Sequence, residues 1–119
     1  MAVSTRGRRQ ITVDGRRYVW YVTEDFEAAG MMALNVISHD KKFIVRYYLA
    51  EPTTSRHLVV IGQEFAGKPR GASWKRFRCP QFGTATVVTP SHVRALIEWC
   101  DTDGPTAMEV DWQGHALPR

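Results

Sequence analysis

The segment Lys68-Pro69-Arg70-Gly71-Ala72-Ser73-Trp74-Lys75-Arg76-Phe77-Arg78 interleaves five cations with two aromatic rings after a glycine-containing turn. Nucleic-acid surfaces use that mixture, because cations neutralise phosphates while aromatic faces stack on unpaired bases. On a strand, Trp74, Arg76 and Arg78 share one face while Lys75, Phe77 and Cys79 share the other, so the cations divide between faces. A surface edge strand has the same composition, its Arg and Lys discouraging aggregation while its rings enter the core. The nucleic-acid candidates are Arg6, Arg8, Arg9, Lys68, Arg70, Trp74, Lys75, Arg76 and Arg78, with Arg16 and Arg17 as further contributors to one positive patch if the fold brings these segments together.

Four Trp, four Tyr and five Phe exceed what one sheet face and one helix obviously cover, and aromatics combined with Arg are enriched at interface hot spots. Tyr21, Tyr48, Trp74 and Trp112 are the protein-binding candidates, with a homodimer through exposed sheet surface as the simplest form and another protein as the general one. The competing structural role is a core in which rings replace scarce large aliphatics.

Catalytic and metal signatures are absent: the chain has no Walker loop, GxGxxG, HExxH, EF-hand loop or GxSxG. His39, His57, His92 and His115 are well separated and none has metal-ligand spacing to a second His or Cys, so no metal or cofactor is expected. Cys100 reads as a small core residue, and Cys79 as a nucleophile only if His57 or His92 lies beside it. No catalytic residue is assigned, and an enzyme or small-ligand pocket ranks behind the two binding classes.

The 119 residues, 44% hydrophobic and 24% charged, describe an ordinary soluble domain and exclude disordered, collagen-like and membrane-spanning classes. The charge is uneven: residues 1–97 hold 15 of the 16 Lys and Arg against 7 of the 12 acids, for +8, and residues 98–119 carry −4. Arg predominates over Lys, which suits planar recognition of carboxylate or phosphate. Residues 1–9 read as a flexible basic arm and 10–119 as a single domain. No apolar stretch follows the first cations, and two cysteines make no disulfide framework, so a cytoplasmic protein with no membrane partner is expected.

The elements that must position these side chains are mostly strands. Gln10–Val13, Asp14-Gly15 and Arg16–Val22 spell a hairpin on a type I′ turn. Alternation over 32–38 and 43–49 predicts a second hairpin joined by His39–Lys42, and His57–Gly62 is a β-branched run suited to a central strand. Trp74–Cys79 and Thr84–Thr89 are further candidate strands, and Met108–Trp112 alternates as an edge strand would. Thr89 and Pro90 mark a helix start, with Val93, Leu96, Ile97 and Cys100 forming one apolar stripe and Gly104 a positive-φ stop. The expected fold is α+β: an antiparallel sheet of about five to seven strands built from hairpins, covered on one side by a single C-terminal helix over about 90–100.

The stretches Ile11–Val22 and Val88–Ile97 resemble small, mostly uncharacterised bacterial proteins that open with a V-D-G-x-x-Y-x-W hairpin and close with a T-P-x-x-V-x-x-x-I helix. Residues 50–83, with the Gly/Arg-rich loop, depart from the compact version of that pattern. The resemblance implies a bacterial origin and the hairpin-to-helix layout, and it implies no activity. The sequence therefore points first to a non-enzymatic binding module acting through an aromatic and Arg-rich sheet surface, then to a nucleic-acid-binding protein, then to a ligand or catalytic pocket.

Overall fold

The computed structural model describes residues 7–25, 30–65, 68–69 and 74–117, with backbone alone at 68, 69 and 105. Chain order runs β1 (Arg9–Val13), β2 (Arg16–Asp25), β3 (Met31–Ser38), β4 (Ile44–Tyr48), β5 (His57–Val60), β6 (Glu64–Phe65), β7 (Lys68–Pro69), β8 (Lys75–Arg78), α1 (Pro90–Thr102) and β9 (Glu109–Val110). Seven strands form one antiparallel sheet in the order β1-β2-β3-β4-β5-β8-β9, and β6-β7 is a small separate hairpin. Among the described residues one α-helix packs on this sheet, and no helix is long and apolar enough to cross a membrane.

The local reasons are those the sequence suggests. Asp14 and Gly15 take φ of 51° and 81°, the two successive positive values a type I′ turn requires, and Val13 pairs with Arg16 across them. The β3–β4 connection closes through side chains: the Ser38 hydroxyl donates to Asp40 Oδ1 at 2.6 Å while accepting the Phe43 N–H at 3.0 Å. That hydroxyl, and after it the Lys42 N–H, hold the Asp40 carboxyl well below the usual carboxylate range.

Helix α1 starts at Pro90, where no N–H is needed, and His92 takes the third-residue role of a capping box by accepting the Thr89 N–H on Nδ1 at 3.0 Å. Its buried stripe of Val93, Leu96, Ile97 and Cys100 joins Leu34, Val45, Tyr47, Leu58 and Phe77 in the main core. Phe65, carried by the β6-β7 hairpin into the stretch read as a plain loop, stacks on Phe77 at 4.7 Å. The buried Arg56 guanidinium donates to the Tyr47 hydroxyl at 2.7 Å and to the carbonyls of Tyr48, Leu49 and Glu51, so it closes the end of β4 without a carboxylate among the described residues.

Two local expectations are corrected. Residues 84–89 form no strand, because the Thr84 hydroxyl accepts the N–H groups of Thr86 and Val87 and its own N–H bonds the Val87 carbonyl, closing a turn that competes with a ladder. Gly104 has no positive φ but opens a 3-10 turn, Gly104–Thr106. The helix expected over about 90–100 is there, Pro90–Thr102, its last turn bonded by the Thr102 hydroxyl to the Glu98 carbonyl at 2.8 Å.

Candidate functional site

Alternation sends one residue set of each strand to the helix side and the other to the opposite, open side of the sheet. On the open side the register aligns Tyr21, Asn35, Arg46, Val59, Arg76 and Val110 in one row across six strands. Polar side chains in an otherwise apolar β3 and β4 are tied together there. Arg46 donates from Nε to Asn35 Oδ1 at 3.1 Å and from Nη1 to Asp25 Oδ2 at 3.3 Å, and the Tyr48 hydroxyl donates to that same Asp25 oxygen at 2.8 Å. Burial, and after it the bond to Asp25, push the Tyr48 phenol above its ordinary pKa, which keeps it a hydrogen-bond donor at neutral pH.

His57 is 1% exposed and lies edge-on to Tyr48 with ring centroids 6.4 Å apart. Its Nδ1 sits 2.8 Å from the Ser55 carbonyl, which only accepts, so Nδ1 carries the proton. Its Nε2 then accepts from Arg76 Nη1 at 3.1 Å, since a guanidinium only donates. The 111–115 turn closes over this pair. Asp111 Oδ1 accepts the N–H groups of Gln113 and His115, each at 2.9 Å, and these bonds, that of His115 foremost, lower the Asp111 pKa. Gly114 has φ +85°, and a Cβ there would stand 2.2 Å from the Ser55 carbonyl oxygen and 2.9 Å from His57 Nδ1, so glycine alone lets the turn seat.

That turn carries Trp112, 73% exposed, and Trp74, 59% exposed, stands at the head of β8. Trp74 has φ +67°, a conformation that costs a bulky residue energy and is held here by its N–H bond to the Val60 carbonyl at 2.6 Å. Both indoles line a half-open cavity of about 470 Å³ together with Tyr48, Arg46, His57 and Arg76, and the carboxylates of Asp25 and Glu51 line it as well. Its volume is in the range of ligand-sized sites.

Of the four aromatic candidates, Tyr48, Trp74 and Trp112 meet at this cavity. Tyr21 is in the same row nearer β1, with the Arg8 guanidinium 4.8 Å from its ring centre. The basic candidates disperse. Arg9 begins β1 and lies over Trp20, a residue of the helix-side core. Lys75 faces Glu109 at 3.8 Å, Arg78 donates to the Gly114 carbonyl at 3.0 Å, and Arg76 is at the cavity. Arg6, Arg70 and the side chain of Lys68 lie outside the described residues. β1 and β8 are first and sixth in the sheet, roughly 24 Å apart at ordinary strand spacing, so Arg8 and Arg9 do not meet Arg76. Arg16 is spent on an ion pair with Asp40 at 3.1 Å and on Glu64.

Cys79 belongs to the helix-side core, where burial pushes its thiol up to about 12, and Cys100 is raised well above its ordinary value for the same reason. The His57 ring is engaged on the opposite face by Ser55 and Arg76, and His92 Nδ1 by the Thr89 N–H, so no hydrogen bond links Cys79 to either among the described residues. No group of three His, Cys, Asp or Glu among the described residues is arranged to hold a metal ion.

The site also contains residues outside the sequence candidates, Asp25, Asn35, Arg46 and Gly114, together with His57, which the sequence weighed only as a metal ligand or a neighbour for Cys79. A signal for two of the polar ones was present, since Asn35 and Arg46 are lone polar residues inside apolar alternation and share the parity of the open face. Comparison with family models, with curated proteins and with solved structures finds no match, so this face is read from its own residues and geometry.

Proposed function

We propose that this chain is a non-enzymatic binding module that holds a protein partner against the open face of its sheet, with Trp74, Trp112 and Tyr48 as aromatic anchors and Arg76 as the charged one. The observation that carries this is the convergence of three rings, from β4, β8 and the 111–115 turn, with a hydrogen-bonded guanidinium on one cavity. Trp, Tyr and Arg are the residue types that dominate interface hot spots, and they do so where a pocket lets them be desolvated.

Charge bookkeeping supports a protein over a nucleic acid. Arg16, Arg46 and Lys75 are paired with carboxylates, that of Arg46 being Asp25, and one further acid, Glu51, lines the cavity where a phosphate chain would have to run. His57 has both ring nitrogens engaged, which favours a positioning role over acid–base work. Two free cysteines suit the reducing cytoplasm of a bacterial cell, and a second copy of the chain is the first partner to test.

The test is selection of a displayed random-peptide library on the wild-type protein, with the selected peptides rescored on the Trp74→Ala/Trp112→Ala double variant, alongside light-scattering mass measurement. Selected peptides should lose about tenfold or more in affinity on the double variant. Undiminished binding would sink the proposal, as would oligonucleotide binding whose log affinity falls steeply with log salt.

A further inference from the structure

Resting on that binding reading, we infer that Arg76 is a carboxylate seat, and that the partner segment presents an Asp or Glu next to a large apolar or aromatic side chain that the Trp74 and Trp112 indoles receive. Three arginines of β4 and β8 lie on the open face and differ in what they have left to offer. Arg46 is neutralised by Asp25 and further bonded to Asn35. Arg78 donates to the Gly114 carbonyl, its Nε is buried without a partner among the described residues, and it does not line the cavity. Among the described residues Arg76 makes one side-chain hydrogen bond, to His57 Nε2, and no carboxylate stands within ion-pair distance of it. Four of its five N–H donors remain, in the planar fork that takes a carboxylate bidentately.

The seat is built rather than incidental. His57 is almost fully buried, its tautomer is set by the Ser55 carbonyl, and its Nε2 lone pair orients the guanidinium before any ligand arrives. An orientation already fixed in the free protein reduces the ordering cost of binding.

Charge complementarity selects the occupant. Glu51, with no cation at ion-pair distance among the described residues, opposes a run of phosphates more than a single carboxylate, and a peptide brings one carboxylate for Arg76 and backbone N–H groups that side chains such as Glu51 and Gln113 can accept. The flanking indoles, more than half exposed, offer apolar and π surface to the neighbouring side chain.

The experiment titrates the full chain, labelled with ¹⁵N, with a capped tetrapeptide carrying glutamate beside phenylalanine, its glutamine counterpart and its alanine-for-phenylalanine counterpart. Indole Nε1–H and arginine Nε–H signals report the site. The glutamate peptide should shift the Trp74 and Trp112 indoles and bind about tenfold more tightly than the glutamine one, as a charge-assisted bidentate pair predicts. Arg76→Gln should erase that difference and keep the preference for phenylalanine, and Arg76→Lys should restore part of it; unchanged signals from the helix-side core certify the fold of each variant.

Equal binding of the glutamate and glutamine peptides through the two indoles would overturn the carboxylate seat and leave the docking face standing. No indole shift with any peptide at millimolar concentration would overturn both. A dinucleoside phosphate that displaces the glutamate peptide would overturn the carboxylate in favour of phosphate.

Discussion

On β4, Val45 and Tyr47 are wholly buried against the helix-covered core, while Arg46 and Tyr48, one position along, belong to the open face and its polar network. The same contrast holds on β5, where Leu58 joins the main core and His57 binds Arg76. The helix side is ordered by close packing of apolar side chains, which is insensitive to direction. The open side is ordered by directional bonds running from Thr23 through Asn35, Arg46 and Asp25 to Tyr48, and from Ser55 through His57 to Arg76. Packing alone would leave nothing to offer a partner. Directional order holds the polar side chains in place while leaving N–H donors of Arg76 and two exposed indoles at the cavity.

Substitutions on the two faces should separate stability from binding. The largest effect belongs to the packed side: Leu58→Ala, at a position with 0% exposure, should cost about 2–5 kcal/mol in a urea titration. A loss under about 1 kcal/mol would mean that the core lies elsewhere. Next comes the contact between the 111–115 turn and the sheet. Gly114→Ala combines a positive φ with a Cβ inside contact distance of Ser55 and His57, so a cost of about 1–3 kcal/mol and displaced His57 ring resonances are expected by denaturation and NMR. An alanine variant as stable as wild type, with an unmoved His57, would separate the turn from the site.

The thiols give a third, smaller contrast. With its folded pKa raised from about 9 to about 12, Cys79 stays protonated where the unfolded chain ionises. Its contribution is therefore intact below about pH 9 and declines as pH rises towards about 12, and Cys79→Ala should flatten that part of the stability–pH curve. Both cysteines, being buried, should resist a thiol reagent until the protein is denatured. The smallest stability effect is the most informative for function: Trp112→Ala, at a 73% exposed ring, should change stability by no more than about 0.5 kcal/mol while weakening peptide binding tenfold or more. A large loss of stability there would make the indole a packing residue.

Much of the fold was legible because its signals are local. Asp14-Gly15 marked the first turn, period-two alternation marked β3 and β4, the β-branched run marked β5, and Thr89-Pro90 with its apolar stripe marked α1. The strand expected at 84–89 failed because β-branched composition cannot report that the Thr84 hydroxyl diverts the backbone donors into a turn. The candidate site was half legible. Tyr48, Trp74, Trp112 and Arg76 stood out by type, whereas His57 and Gly114 matter only through neighbours about fifteen to sixty residues away, such as Arg76 and Ser55.

By itself the sequence determined where the chain turns, which residues alternate, and that aromatic rings and arginines are plentiful, since these depend on neighbours a few positions apart. Only the tertiary structure decided which face of each strand the helix covers, which arginines are neutralised, and that Trp74 and Trp112 line one cavity beside Arg76. The physical reason is that alternation names two faces without ranking them. Ion pairs, the His57–Arg76 hydrogen bond and shared cavities arise from long-range register, which the β4-β5-β8-β9 pairings set only once the whole sheet has assembled.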